Sequence, residues 1–282
     1  MVRRSGGEGI SRPRPAPGAQ PRKRFGQHFL TDSRILSRIA DALRIPEGAT
    51  VVEIGPGRGA LTDELLQRVG AAGRVIAFEV DRDLCALLRT RYAAHTGFTL
   101  VEGDVLDAEF ASQVDGPFLL AGNIPYHITT PILFKALEPP RAERMVFLVQ
   151  REVAERLAAP VGGKEYGALT VNARAVADIE MVFGVPAKAF KPPPKVESAV
   201  IRVVPRATPD VAPGDQPAFR RLVQALFSLR RKQMHRALRS ARGCDAATAA
   251  ACLDRAAIRG TDRPEVLTPA DFARLLRVLQ AL

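Results

Sequence analysis

The tetrapeptide Asn123-Ile124-Pro125-Tyr126 offers two hydrogen-bond acceptors and an aromatic ring within four residues. The Asn123 side-chain oxygen and the Ile124 carbonyl can each accept one N–H of an amino group. Pro125 fixes the turn and contributes no donor. Tyr126 can stack on a base turned out of its helix. The exocyclic amine of adenine is a poor nucleophile because its lone pair is delocalised into the ring. Two acceptors would pull such an amine toward tetrahedral geometry and aim the lone pair at an electrophile. The gain would come from orientation and electrostatics, with neither a metal nor a strong base required. Read alone, the same residues are better taken as an Asn-x-Pro turn between a strand and a helix.

An electrophile would need its own cradle, and Glu53-Ile54-Gly55-Pro56-Gly57-Arg58-Gly59 is a candidate. Glycines at 55, 57 and 59 follow an apolar run and let a ligand lie against the backbone. Dinucleotide folds space their glycines G-x-G-x-x-G for a pyrophosphate. The spacing here is G-x-G-x-G, and a carboxylate, Glu53, precedes it. That carboxylate would repel a pyrophosphate and suits the positively charged end of S-adenosylmethionine. Glu79 ends the next apolar run and can accept both hydroxyls of a ribose. Asp104 follows the third run and can accept from an adenine amine. Individually these are also a tight turn, a solvated acid and a helix-cap residue. Together they fall beyond successive strand ends, where open α/β sheets bind ligands.

The pattern that must position them alternates strands with helices. Strands are expected at Thr50 to Ile54, Val75 to Phe78, Thr99 and Leu100, Phe118 to Ala121, Met145 to Val149 and Val196 to Val204. Gly59 to Val69 and Asp83 to Tyr92 have helical spacing. Strands separated by helices imply βαβ units and a parallel sheet with helices on both faces. Pro205 to Pro217 reads as a linker. Beyond it, Phe219, Leu222, Val223, Leu226 and Phe227, then Phe272, Leu275, Leu276 and Leu279, fall at helical spacing and predict a small helical domain. Residues 1–21 are rich in Gly, Pro, Arg and Ser and read as a disordered basic tail. Prolines at 13, 15, 17 and 21 argue against the amphipathic helix of a transit peptide. The expected division is therefore 1–21, 22–206 and 207–282.

The chain has 282 residues, 46% hydrophobic, with a formal net charge of +11. That length holds an α/β core and a smaller second domain. The charge favours a polyanionic partner. Its three cysteines, Cys85, Cys244 and Cys252, lack metal-ligand spacing and fit a reducing compartment. The expectation is a cytoplasmic protein with no metal and no membrane segment.

With these pieces in place the chain resembles the small-subunit ribosomal RNA adenine N6,N6-dimethyltransferase family. It is also similar to the erythromycin-resistance methyltransferases of the large subunit. Segments 23–30, 53–62, 123–126 and 190–198, with Arg230-Arg231-Lys232 placed in the C-terminal helix, carry the resemblance. It implies a Rossmann-like class I methyltransferase fold with a mostly parallel sheet and a small α-helical C-terminal domain. It implies S-adenosyl-L-methionine as cofactor, met by Gln27, His28, Leu30, Gly55, Gly57, Glu79, Asp104 and Asn123. Phe190 would form the second face of a base clamp opposite Tyr126, beside Asn123 and Ile124 at the catalytic turn. Arg230, Arg231 and Lys232 would contact RNA. Some members carry Asn where this chain has His28. The implied substrate is a pair of adjacent adenines in a 3′-terminal hairpin loop of small-subunit RNA. A monomer would act on a pre-assembled subunit. Large-subunit methylation and a non-catalytic assembly role are the alternatives.

Overall fold

The computed structural model describes residues 28–282; the basic tail and Gln27 lie outside the described residues. In chain order the strands are β1 (Phe29–Leu30), β2 (Thr50–Ile54), β3 (Arg74–Glu79), β4 (Phe98–Glu102), β5 (Leu119–Asn123), β6 (Arg144–Gln150), β7 (Ala177–Val185), β8 (Phe190–Lys191) and β9 (Ser198–Pro205). The helices are α1 (Ser33–Leu43), α2 (Ala60–Val69), α3 (Arg82–Arg91), α4 (Thr129–Ala136), α5 (Arg151–Ala158), α6 (Ala168–Arg174), α7 (Gln216–Phe227), α8 (Met234–Arg242), α9 (Ala246–Arg255) and α10 (Pro269–Gln280). Every strand expected from the sequence is present.

Seven strands form one sheet in the order β4-β3-β2-β5-β6-β9-β7. The first five run parallel; β9 is antiparallel to both its neighbours, β6 and β7, so β7 runs in the direction of the five. Val51, Val52 and Ile54 are β-branched and buried on a strand covered on both faces, as a central parallel strand requires. Edge strand β7 was not anticipated: its exposed Met181 and Val182 flank a bulge and break the alternation that marks a strand.

Helix α1 begins at Asp32, whose carboxylate accepts from Arg34 N and Ile35 N at 3.0 and 3.3 Å. Ile35, Leu36, Ile39 and Leu43 form its buried face. Arg144 on β6 donates to the carbonyls of Leu43 and Arg44, satisfying acceptors that the helix leaves open.

The expected linker is ordered. Asp210 N donates to Ala175 O at 2.8 Å, Val211 is buried, and Pro217 lies in the first turn of α7. Residues 230–232 form a turn between α7 and α8 rather than a helix. Phe219, Leu226, Leu238 and Phe272 from the C-terminal helices join the same hydrophobic cluster as Ile201 and Phe147 on the sheet. Among the described residues no helix is long and apolar enough to cross a membrane.

The start of α2 depends on Gly59, at φ +84°. A Cβ there would collide with the Tyr92 hydroxyl, which donates to Gly59 O at 2.9 Å. Gly59→Ala combines a left-handed backbone with that clash. It is expected to lower unfolding free energy by roughly 1–3 kcal/mol in urea titrations.

Candidate active site

The carboxyl ends of β2 to β5 open on one cavity of about 1220 Å³. Its walls include Glu53, Gly55, Gly57, Glu79, Asp104, Asn123, Ile124, Tyr126, His28 and Leu30. The structure thus brings together on one lining residues that stand nearly a hundred positions apart in sequence.

The glycine loop leaves β2 with Gly55 and Gly57 at φ +66° and +58°. Gly55 N donates to Phe78 O at 2.9 Å, and its Cβ position faces the Asn123 carbonyl. Gly57 N donates to the Glu79 carboxylate at 3.1 Å. Val80 N and Asp81 N donate to the other Glu79 oxygen, both at 3.0 Å. Burial pushes the Glu79 carboxyl up from its ordinary range, against these three N–H bonds, which favour the charged form. Glu79 therefore holds the glycine loop as well as facing the cavity.

Glu53 is almost wholly buried. Desolvation pushes its carboxyl up to about 8, with the negative Asp63 and Glu79 nearby adding to the rise. Its hydrogen-bond partner is the Thr62 hydroxyl, which donates at 2.6 Å. No ion pair reaches it among the described residues. Exposed Asp104 accepts from Leu106 N at 2.9 Å in a local turn while its residue lines the cavity. Of the acids that line the cavity, Glu53, Glu79 and Asp104 lie at the ends of successive strands, where their charged forms suit a cationic ligand; Arg58, Arg91 and Lys191 also line it. Among the described residues no cluster of His, Cys, Asp or Glu could hold a metal ion.

At the end of β5, Asn123 Nδ2 donates to His28 O at 3.0 Å, and Ile124 N donates to Leu148 O at 3.1 Å. Pro125 leads into a single helical turn, Tyr126–Ile128. The half-buried Tyr126 shares a 2.6 Å hydrogen bond with Ser198, and burial raises its phenol above the ordinary value.

Phe190 is not among the residues that line the cavity. It is 2% exposed and packs in a core cluster with Leu30, Val185 and Val200. The reason is the period of two along a strand. In the β1–β8 ribbon Leu30 pairs with Phe190 and Phe29 with Lys191, so when Phe190 turns inward the neighbouring Lys191 lines the cavity. Arg230 has partners within the protein: its guanidinium donates to Glu265 at 2.6 Å and to Lys164 O at 3.0 Å. Arg231 and Lys232 are exposed. Arg58 is exposed over the Phe29 ring, 4.7 Å from its centroid. Sequence reasoning did not find Tyr92, Lys191 or Ser198 as parts of the site. Lys191 and Ser198 lie inside a segment already singled out, but their orientations depend on pairing that spacing alone does not reveal.

Solved structures share this architecture over nearly their whole length. The 23S rRNA methyltransferase ErmE aligns with a TM-score of 0.70 and 31% identity, covering 89% of this chain and 99% of that one. A dimethyladenosine transferase from Plasmodium falciparum aligns with a TM-score of 0.77 and 26% identity, covering 90% and 98%. The fold is that of a class I methyltransferase. Residues 18–280 match the sequence profile of ribosomal RNA adenine dimethylase, and the chain belongs to that family. Relatives include proteins named ribosomal RNA small subunit methyltransferase A from Synechococcus sp. (strain JA-3-3Ab), at 45% identity over 268 residues, and from Pseudomonas aeruginosa, at 39% over 264. These alignments cover 92% and 93% of this chain, and 93% and 95% of the relatives.

Glu53 carries a pH signature. Between its ordinary value of 4.5 and about 8, the folded protein holds a proton that the unfolded chain has released. Stability therefore falls as pH rises through that window. Glu53→Gln cannot release a proton and is expected to lose less stability between pH 5.5 and pH 8.5 than the parent, measured by urea unfolding at each pH.

Proposed function

We propose that this protein transfers methyl groups from S-adenosylmethionine to the exocyclic amines of two adjacent adenines in a 3′-terminal hairpin loop of small-subunit ribosomal RNA. The names and identities of its relatives support the small subunit. The observation that carries the chemistry is the Asn123 amide. Its nitrogen is committed to the His28 carbonyl, so its oxygen is the atom left to accept from an incoming amine.

The cofactor, when bound, supplies an electrophilic methyl group on a sulfonium. The buried Glu53, the Glu79 carboxylate and Asp104 suit its cationic end, its ribose and its adenine respectively. Gly55 and Gly57 allow close approach of the backbone, with Leu30 and the main chain of His28 completing the wall. Asn123 Oδ1 and the Ile124 carbonyl accept the two amine protons and hold the nitrogen lone pair toward the methyl. Tyr126 stacks on the base. Once the methyl has transferred, the amine is cationic and loses its extra proton to solvent, so no strongly basic side chain is required. Residues 22–206 would carry this chemistry and 207–282 would dock RNA, with Arg231 and Lys232 meeting phosphates. In this reading the protein acts as a cytoplasmic monomer on a pre-assembled subunit.

The decisive assay supplies labelled cofactor to undermethylated small subunits and, in parallel, to naked large-subunit RNA, then identifies the nucleoside by digestion and mass. Dimethyladenosine in the small subunit alone supports the proposal. Its appearance only in large-subunit RNA keeps the chemistry and moves the target, a reading that the likeness to ErmE keeps open.

In the same assay Asn123→Ala is expected to abolish most turnover while calorimetry finds cofactor affinity unchanged. A large loss of affinity would contradict the role given to Asn123. Arg231→Ala with Lys232→Ala should weaken RNA binding and flatten its salt dependence without changing stability. Arg230→Ala should instead lower stability, by about 1 kcal/mol for a partly exposed pair.

A further inference from the structure

His28 touches both functional side chains of the catalytic turn. Its carbonyl accepts from Asn123 Nδ2 at 3.0 Å. Its imidazole stacks with the Tyr126 ring, with centroids 6.0 Å apart and planes 25° apart. A carbonyl can only accept, so His28 Nδ1 is the donor in its 2.8 Å contact with Pro192 O, and that contact fixes the imidazole. Ser198, fully buried at the start of β9, shares the 2.6 Å hydrogen bond with the Tyr126 hydroxyl.

Tyr126 is therefore held at two places, on its face and at its tip. Both anchors lead to the 190–198 segment, one through Pro192 and one through Ser198. The β1–β8 ladder, Phe29 with Lys191 and Leu30 with Phe190, fixes His28 against that segment. A phenol ring on a short turn outside the sheet has broad freedom about its terminal torsion unless such contacts remove it. A side chain that stacks on a base must be held in one plane to gain from pre-orientation.

We propose that His28 and Ser198 are positioning residues for Tyr126, His28 through its ring and Ser198 through its hydroxyl; this rests on the reading of Tyr126 as the base-stacking residue. It separates His28 from a pure cofactor contact, the role that the sequence suggested. The Asn123 bond uses the main chain of His28 and survives any substitution of the ring, so ring variants probe Tyr126 alone.

The chain has three tyrosines and no tryptophan, so ¹³C-labelled tyrosine gives few ring signals, and Tyr126→Phe assigns one set. His28→Ala and Ser198→Ala are expected to move the Tyr126 signals and leave those of Tyr92 and Tyr166. Each should lower kcat for transfer to undermethylated small subunits about tenfold, with cofactor Kd unchanged by calorimetry. His28→Phe, which keeps a stacking ring, and Ser198→Thr, which keeps a hydroxyl, should restore most of the rate. Tyr126 signals that stay put, or an unchanged kcat in both alanine variants, would overturn the proposal. A raised cofactor Kd with normal kcat in His28→Ala would make His28 a cofactor contact instead. Should Ser198→Ala shift all three tyrosines, as a misfolded protein would, the His28 pair and Ser198→Thr decide. If the parent protein methylates neither RNA while Tyr126 still responds to His28, the functional reading falls and the anchoring stands.

Discussion

The Asn123 amide can turn either its oxygen or its nitrogen toward the cavity, and a main-chain carbonyl 95 residues earlier decides which. An amine needs an acceptor, so the wrong rotamer would present donor to donor. The bond to His28 O removes that choice before any substrate arrives, which is the pre-organisation that makes electrostatic stabilisation effective. It works only if β5 and the segment before α1 are held at the right separation. Gly122 contributes from one side: a Cβ there would lie 2.7 Å from Ile54 O, so a larger residue would push β5 away from β2. The β1–β8 ribbon contributes from the other side by tying residues 29 and 30 to 190 and 191.

The same region concentrates carboxyl groups where burial disfavours their charged form. Glu53 is buried with a hydroxyl for a partner, and Glu79 is satisfied only by backbone N–H groups. A fold optimised for stability alone would pair such groups with cations or replace them. Their gathering at one cavity suits a positive ligand, because a cation there favours the charged carboxylate that burial alone disfavours. Tyr92 serves the same loop differently: its hydroxyl donates to Gly59 O and contacts Asp63, fixing the turn from behind.

The sheet was legible in the sequence because parallel central strands are buried on both faces and read as apolar runs, as Val51, Val52, Met145 and Val146 do. Their carboxyl ends carried the acids and the asparagine, so the cavity followed from topology. The remainder depended on contacts between distant segments. Whether Phe190 or Lys191 faced the cavity turned on the register of a two-residue ribbon, and a shift of one position reverses the answer. Met181 and Val182 hid β7 because a bulge put apolar residues outside. Arg230 looked like its neighbours Arg231 and Lys232 until Glu265, 35 residues on, was found beside it.

Arg230 bears on how the net charge of +11 should be understood. Many of the arginines are structural. Arg144 caps the end of α1, Arg68 bridges Asp41, Glu64 and Ser37, and Arg206 ties Asp178 on β7 to Asp210. Arg220 lies over the Phe134 ring at 4.3 Å, joining α7 to α4. A guanidinium bound to carbonyls and carboxylates has its donors directed inward, and its planar fork suits that work better than an ammonium would. The cations available to a phosphate backbone are a smaller set that includes Arg231, Lys232, Arg236 and Arg239, exposed on α8 and the turn before it. Charge summed over the sequence therefore overstates the exposed cationic surface, while the C-terminal helices share a core with the sheet and so hold these four residues at a fixed place relative to the cavity.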